Sequence, residues 1–238
     1  MLDHPGSDLL PDLHPQWREL DFSDLFRQPF AYLAIGYSNS ILAEFGAQAG
    51  ERLWERARTS GGALNATKAV VSAVRPTHRP VVWTRYEIFR DRQPQTETDR
   101  AQYRYWLRDK QRWSDAEIER DWQPVVEIKA LMQPQDLVIH YSSHGNVFLG
   151  TMLPGFLNAW GVRTVLISGF HLDWCIEQAA RTCRDLGYNP IVIGDACGCG
   201  QWEDDIPTLR RINTFFAPVI SSARVVSLLA PSCETAGV

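Results

Sequence analysis

Lysine is nearly missing from this chain. It occurs only at Lys68, Lys110 and Lys129 among 238 residues, and arginine supplies the other positive charges. Formal net charge is −4. There is no basic stripe, which argues against a nucleic-acid surface. No apolar run approaches the roughly 20 residues of a membrane span, so no membrane association is expected. The first residues, Met1 to Trp17, are acidic and interrupted by proline, unlike a secretory signal. A cytoplasmic location is the expectation.

Cysteine is scarce and irregularly placed, at Cys175, Cys183, Cys197, Cys199 and Cys233. An odd count without a signal peptide reads as reduced thiols. Cys197 and Cys199 form a C-x-C within Cys197-Gly198-Cys199-Gly200. That pattern favours a glycine-rich turn over a zinc site, which needs further ligands.

What is present is a globular composition, 45% hydrophobic and 22% charged. Residues 1–28 read as an arm on the surface or reaching a neighbouring subunit. Residues 29–238 read as one domain. Phe30 to Ile35 is a continuous apolar run, the pattern of a strand covered on both faces. Residues 41–58 and 66–74 have helical spacing, and Val81 to Thr84 is a second buried strand. Residues 91–122 are rich in Arg, Glu, Tyr and Trp, and predict a helical insertion, either a solvated helix with one aromatic face or a lid or subunit contact. From Leu137 onward, strands and helices alternate. Strands are expected at 137–139, 165–168, 191–193 and 225–229. Helices are expected from Thr151 to Trp160, from an N-cap at Asp173 to Leu186, and from Leu209 to Phe216. The fold class is therefore α/β, a mainly parallel sheet with helices on both faces.

Ligands of such sheets bind beyond the carboxyl ends of the strands. Three stretches end there: Gly36-Tyr37-Ser38, His140-Tyr141-Ser142, and Gly169-Phe170-His171-Leu172. Cys175 follows the last of them, in the first turn of a helix. The free N–H groups and the helix dipole should lower the pKa of its thiol. The N–H groups of Leu172 and Cys175 could form an oxyanion hole. A buried core cysteine is the plain alternative.

The run Val165-Leu166-Ile167-Ser168-Gly169-Phe170-His171-Leu172-Asp173-Trp174-Cys175-Ile176 resembles the nucleophile segment of the isochorismatase-like cysteine hydrolases. Nicotinamidases, N-carbamoylsarcosine amidohydrolases and ureidoacrylate amidohydrolases belong to that family. Phe148-Leu149-Gly150-Thr151 resembles its F-x-G-T, and Ile191-Val192-Ile193-Gly194-Asp195-Ala196-Cys197 resembles a later strand. The resemblance implies a six-stranded parallel sheet, usually in a homo-oligomer, and a small-molecule substrate. It also implies an Asp–Lys–Cys triad. Here the Asp position holds Gly36, and the Lys position falls on Ser142 or Tyr141.

Only Cys175 of that triad is retained. His140 and His144 are candidate replacement bases, with His140 favoured because a strand end fixes it, and His171 is a third option. Tyr37, Tyr141 and Ser142 are candidate substrate contacts, as are Arg85 and Glu87 from the second strand. The acid and histidines of the nicotinamidase zinc site have no counterpart, so no metal or other cofactor is expected. The function expected is a divergent hydrolase of a small amide, carbamoyl or related substrate. The alternatives are a catalytically impaired member that binds a small molecule or partner, and non-covalent acid–base chemistry in the same pocket.

Overall fold

The computed structural model describes residues 10–87, 96–106, 113–141 and 145–230. In chain order the elements are α1 (Phe22–Arg27), β1 (Phe30–Ile35), α2 (Asn39–Leu42), α3 (Leu53–Arg56), α4 (Ala63–Val74) and β2 (Val81–Tyr86). Then come α5 (Glu97–Trp106), α6 (Asp115–Trp122), α7 (Val126–Lys129), β3 (Leu137–Tyr141), α8 (Leu153–Ala159) and β4 (Thr164–Phe170). The chain closes with α9 (Glu177–Asp185), β5 (Asn189–Gly198), α10 (Asp205–Phe215), β6 (Val219–Ile220) and α11 (Ser222–Leu229). The strands form one sheet in the order β3-β2-β1-β4-β5-β6, and every pairing is parallel. This is the six-stranded α/β architecture expected.

Successive strand residues point to opposite faces of a sheet. β1 shows the consequence. Ala31, Leu33 and Ile35 join a core beneath α8, α9 and α10, whereas Phe30, Tyr32 and Ala34 join a second core beneath α1, α4, α7 and α11. A central strand covered on both faces must be apolar throughout, and all six residues of β1 are buried.

Three local expectations are corrected. The stretch 41–58 is not one helix; it is two short helices with a 3-10 turn at Ala49–Glu51 between them. Gly46 breaks it: the backbone there approaches Asn39 and Ser40 too closely for a Cβ. The stretch 225–229 is helix rather than strand. Ser221 caps it by accepting from the Arg224 N–H at 3.1 Å, while Val225 packs into the core. This cap prevails over the β-branched pair. The final strand is the two-residue β6, paired to β5. The N-cap before Cys175 is His171 rather than Asp173, and the first turn, Leu172–Ile176, is a π-helix. The described part of the arm packs on the body of its own chain. Trp17 Nε1 donates to the Asn213 carbonyl at 2.5 Å, Asn213 Nδ2 donates to the Asp12 carbonyl at 2.7 Å, and Phe22 and Phe26 are buried.

β3 is the edge strand, and a carboxylate anchors its start. Asp136 accepts from Trp83 Nε1 at 2.7 Å, from Arg75 Nη2 at 2.6 Å and from the Gln133 N–H at 3.0 Å. Its side chain is 1% exposed. Burial alone would raise this carboxyl. The hydrogen bonds from Arg75, Trp83 and Gln133 outweigh it and hold the pKa below the ordinary aspartate value. Removing the carboxylate strands the Arg75 charge and the indole N–H. Asp136→Ala should cost about 3 kcal/mol in urea melts. Because the folded pKa is depressed, the wild-type contribution should be full above about pH 4 and be lost as pH falls below it. A variant as stable as wild type at pH 7 would show that the cluster does not hold β3.

Candidate active site

β1 and β4 run side by side to their carboxyl ends, with Ile35 opposite Gly169. A glycine with positive φ stands at each strand end, Gly36 just after β1 at +74° and Gly169 next to last in β4 at +126°. At Gly36 a Cβ would collide with the Phe170 carbonyl oxygen, and at Gly169 with the Ile35 carbonyl oxygen. The rim is backbone against backbone. Cys175 lies in the π-turn just past it, buried at 3% exposure. The two strands thus lie side by side, with the turn of Cys175 directly following β4.

The sulfur faces Tyr141. Tyr141 Oη donates to Cys175 Sγ at 3.7 Å. Thr84 lies on the same face of the sheet and accepts from the Gly36 N–H at 3.2 Å. Tyr86 packs on Tyr141 with ring centroids 5.1 Å apart and meets Trp174 edge-on at 6.1 Å. Trp174 lies over Gly145, where any Cβ would press on the indole. Tyr141 thus stands beside the thiol from one of the two positions to which the family lysine maps.

His140 is not brought to Cys175. The pleat that turns Tyr141 toward the sulfur turns His140 to the other face, where its Nδ1 lies 2.7 Å from Glu87 Oε1. Arg85 and Glu87 share that face and pair with each other at 3.2 Å. The expected approach of these three to the thiol is corrected by the two-residue period of β2 and β3. Thr84 and Tyr86 lie on the Cys175 side instead; the sequence reading missed them, although the same alternation could have found them. Tyr37 is also on the far side. Its hydroxyl is within hydrogen-bond reach of Thr67 Oγ1 at 2.5 Å and Ser168 Oγ at 2.9 Å. His171 caps the turn with its carbonyl, which accepts from the Trp174 and Ile176 N–H groups. Its ring is held by Glu51 Oε2 at 2.6 Å and stacks on Trp174. Glu51 was not anticipated. Leu172 is fully buried in the same turn. Ser142 and His144 lie outside the described residues, as does Cys233.

The electrostatics of the thiol reverse the expectation drawn from the helix start. Burial pushes the Cys175 pKa up to about 11, against the hydrogen bond from Tyr141 and the backbone hydrogen bond from His171. Desolvation exceeds the pull of a few N–H groups. Tyr141 is raised well above its ordinary value by burial, then by its proximity to Cys175. At neutral pH this is a thiol–phenol pair, both protonated. Cys183, Cys197 and Cys199 are shifted upward too, mainly by burial. The C-x-C is structural on its visible contacts. Cys197 Sγ donates to the Ile193 carbonyl at 3.2 Å, the Cys199 N–H donates to Asp205 Oδ1 at 2.6 Å, and buried Arg56 bonds the Cys199 carbonyl.

Residues 31–224 match the model of the isochorismatase domain. The chain belongs to the isochorismatase family. Curated relatives include an uncharacterized isochorismatase family protein, YecD, of Escherichia coli O157:H7, 28% identical over 82 residues, or 34% of this chain and 44% of that one. YrdC of Bacillus subtilis, also an uncharacterized family protein, is 26% identical over 112 residues, 42% of this chain and 60% of that one. The matched segments thus span less than two thirds of either relative. Among solved structures, a cysteine hydrolase from Pseudomonas syringae pv. phaseolicola superposes with a TM-score of 0.68 at 16% identity, covering 84% of this chain and 92% of that one. The N-carbamoylsarcosine amidase of Thermoplasma acidophilum gives 0.59 at 20% identity, covering 82% and 97%. These likenesses show the shared fold. Among the described residues no helix is long and apolar enough to cross a membrane.

Two outcomes follow from this geometry. The rate of Cys175 alkylation by iodoacetamide should rise about tenfold per pH unit from neutrality toward about 11, because only the thiolate reacts. Tyr141→Phe should move that midpoint higher. A plateau already reached at pH 8 would mean an ionised thiol and a different environment. Gly36→Asp should not restore a family-type acid. It should destabilise the fold by about 1–3 kcal/mol or more in thermal or urea melts, through strained φ and the collision with Phe170.

Proposed function

We propose that this family member hydrolyses a small amide, carbamoyl or related substrate, with Cys175 as nucleophile and Tyr141 as the group that shares its proton. The observation that carries the reading is the contact of Tyr141 Oη with Cys175 Sγ at 3.7 Å, beyond the carboxyl ends of β1 and β4. In this scheme the sulfur attacks the substrate carbonyl carbon and the C–N bond breaks. The thiol proton goes to the leaving nitrogen by way of the phenol, and water then releases the acid from the thioester. The N–H groups of Leu172 and Cys175, in the opening turn, are the proposed donors to the oxyanion. A phenol whose pKa is raised stays protonated near neutral pH and offers no phenolate to take the thiol proton outright. Turnover should therefore be slow near pH 7.

That weakness supports a second reading, in which the site binds a small molecule without turning it over. The observation in its favour is the thiol pKa of about 11, together with a Gly36 that cannot carry a carboxylate. A homo-oligomer, proposed from the family resemblance, is compatible with either reading.

The two separate in one experiment. Ammonia release from a panel of primary amides and N-carbamoyl compounds is measured between pH 6 and 10 for wild type, Cys175→Ala and Tyr141→Phe. Under the first reading at least one compound is hydrolysed. Its rate climbs about tenfold per pH unit, Cys175→Ala abolishes it, and Tyr141→Phe lowers it by about 10²-fold or more. A limb near pH 6.5 would instead bring in His144 as base. If no compound is hydrolysed and one protects Cys175 from alkylation, the binding reading replaces the first. Turnover that survives in Cys175→Ala refutes the covalent route.

A further inference from the structure

We propose that Glu51 is a positioning residue that latches the turn of Cys175 shut through His171, and that release of this latch opens the thiol to a substrate. Cys175 is buried, so a substrate reaches its sulfur only if something beside it moves. Inside the turn one residue holds the others. The His171 carbonyl accepts from the Trp174 N–H at 3.2 Å and from the Ile176 N–H at 3.1 Å. The His171 ring stacks on Trp174, with centroids 6.3 Å apart and planes 26° from parallel. Trp174 meets Tyr86 edge-on, Tyr86 packs on Tyr141, and the Tyr141 hydroxyl reaches the sulfur. The placement of the His171 ring is therefore passed by direct contact to the aromatic wall beside Cys175.

That ring is fixed from a distant part of the chain. Glu51 Oε2 lies 2.6 Å from His171 Nε2, across 120 residues of sequence. The His171 side chain is 7% exposed and that of Glu51 33%, so the latch has one buried half and one half that water reaches. Water can take over the carboxylate when it lets go, and opening does not strand it. The segment that delivers Glu51 is itself anchored. Arg56 is buried, pairs with Asp205 at 3.4 Å and bonds the Cys199 carbonyl. Arg52, left-handed at φ +54°, turns the chain between Glu51 and Arg56. Gly200, in the loop after β5, leaves room for the latch: a Cβ there would come within 2.8 Å of the Glu51 carboxyl carbon. One side-chain hydrogen bond thus closes the turn from outside, and breaking it is a local opening that leaves the sheet intact.

What the opening admits rests on the reading of Cys175 as nucleophile; the latch is tested without turnover. The full chain is labelled with limiting iodoacetamide at one mildly alkaline pH, as wild type, Glu51→Ala, Glu51→Gln and Gly200→Ala. Peptide mapping reads Cys175 and Cys183 separately, and thermal melts verify folding. Cys183 is buried in α9, outside the latch, and reports general loosening. Glu51→Ala should label Cys175 about tenfold faster than wild type, the effect of losing one hydrogen bond. Glu51→Gln should stay close to wild type, because its amide oxygen can accept from Nε2. Gly200→Ala should fall between, since the added Cβ displaces the carboxylate without deleting it. Cys183 should label at the wild-type rate throughout. Equal labelling of Cys175 in wild type and Glu51→Ala overturns the proposal. So does a parallel rise at Cys183, or a Glu51→Gln variant as fast as Glu51→Ala. If Glu51→Ala does not fold, Gly200→Ala decides, and no acceleration there overturns the latch. Faster labelling of Cys175 alone, in a protein whose wild type hydrolyses no amide, upholds the latch and removes the nucleophile reading.

Discussion

The backbones of β1 and β4 touch at their carboxyl ends, and this contact decides what the site can be. Gly36 and Gly169 each lie where a Cβ would strike the carbonyl of the opposite strand. The sheet closes to main-chain distance at its rim. The π-turn carrying Cys175 begins directly from that closed rim, so the thiol is pressed into the core and away from water. The absence of an acid at position 36 belongs to the same contact. Room for a carboxylate there has been given up to backbone packing.

Enclosure then governs the chemistry. A thiol at a helix start is ordinarily favoured as thiolate by N–H groups and the helix dipole. Here desolvation is the larger influence, and the neighbour that reaches the sulfur is a phenol buried as deeply as the thiol. Burial raises the ionisation cost of both; Cys175 raises that of Tyr141 further, whereas the hydrogen bond from Tyr141 eases that of Cys175. The resulting pair is neutral, fixed by aromatic packing from Tyr86 and Trp174. Such a pair can share a proton along a hydrogen bond, and it stores little charge in advance.

Much of this was legible in the sequence. The apolar run of β1, the glycines at strand ends and the alternation after Leu137 follow from local rules, and they yielded the fold class and the place of Cys175. The last helix was misread because Val225 and Val226 favour strand by type, whereas Ser221 and the buried side of the helix decide the outcome through packing. The helix from 41 to 58 failed at Gly46, where a close approach between segments, invisible in a linear pattern, breaks the periodicity.

The residues near the thiol divide in the same way. Sequence alone determined which chemical groups exist: one cysteine in the family's nucleophile segment, no lysine after Lys129, and glycine where an acid would stand. Alternation along β2 and β3 could also sort Thr84, Tyr86 and Tyr141 from Arg85, Glu87 and His140. It could not say which set faces Cys175. Only the packed sheet decided that, because a face is assigned by the helices that cover it: α9 and the turn before it lie on one side, α4 and α7 on the other. The height of the thiol pKa was likewise decided by the tertiary structure, because desolvation depends on every group that surrounds the sulfur and not on the few residues beside it in the chain.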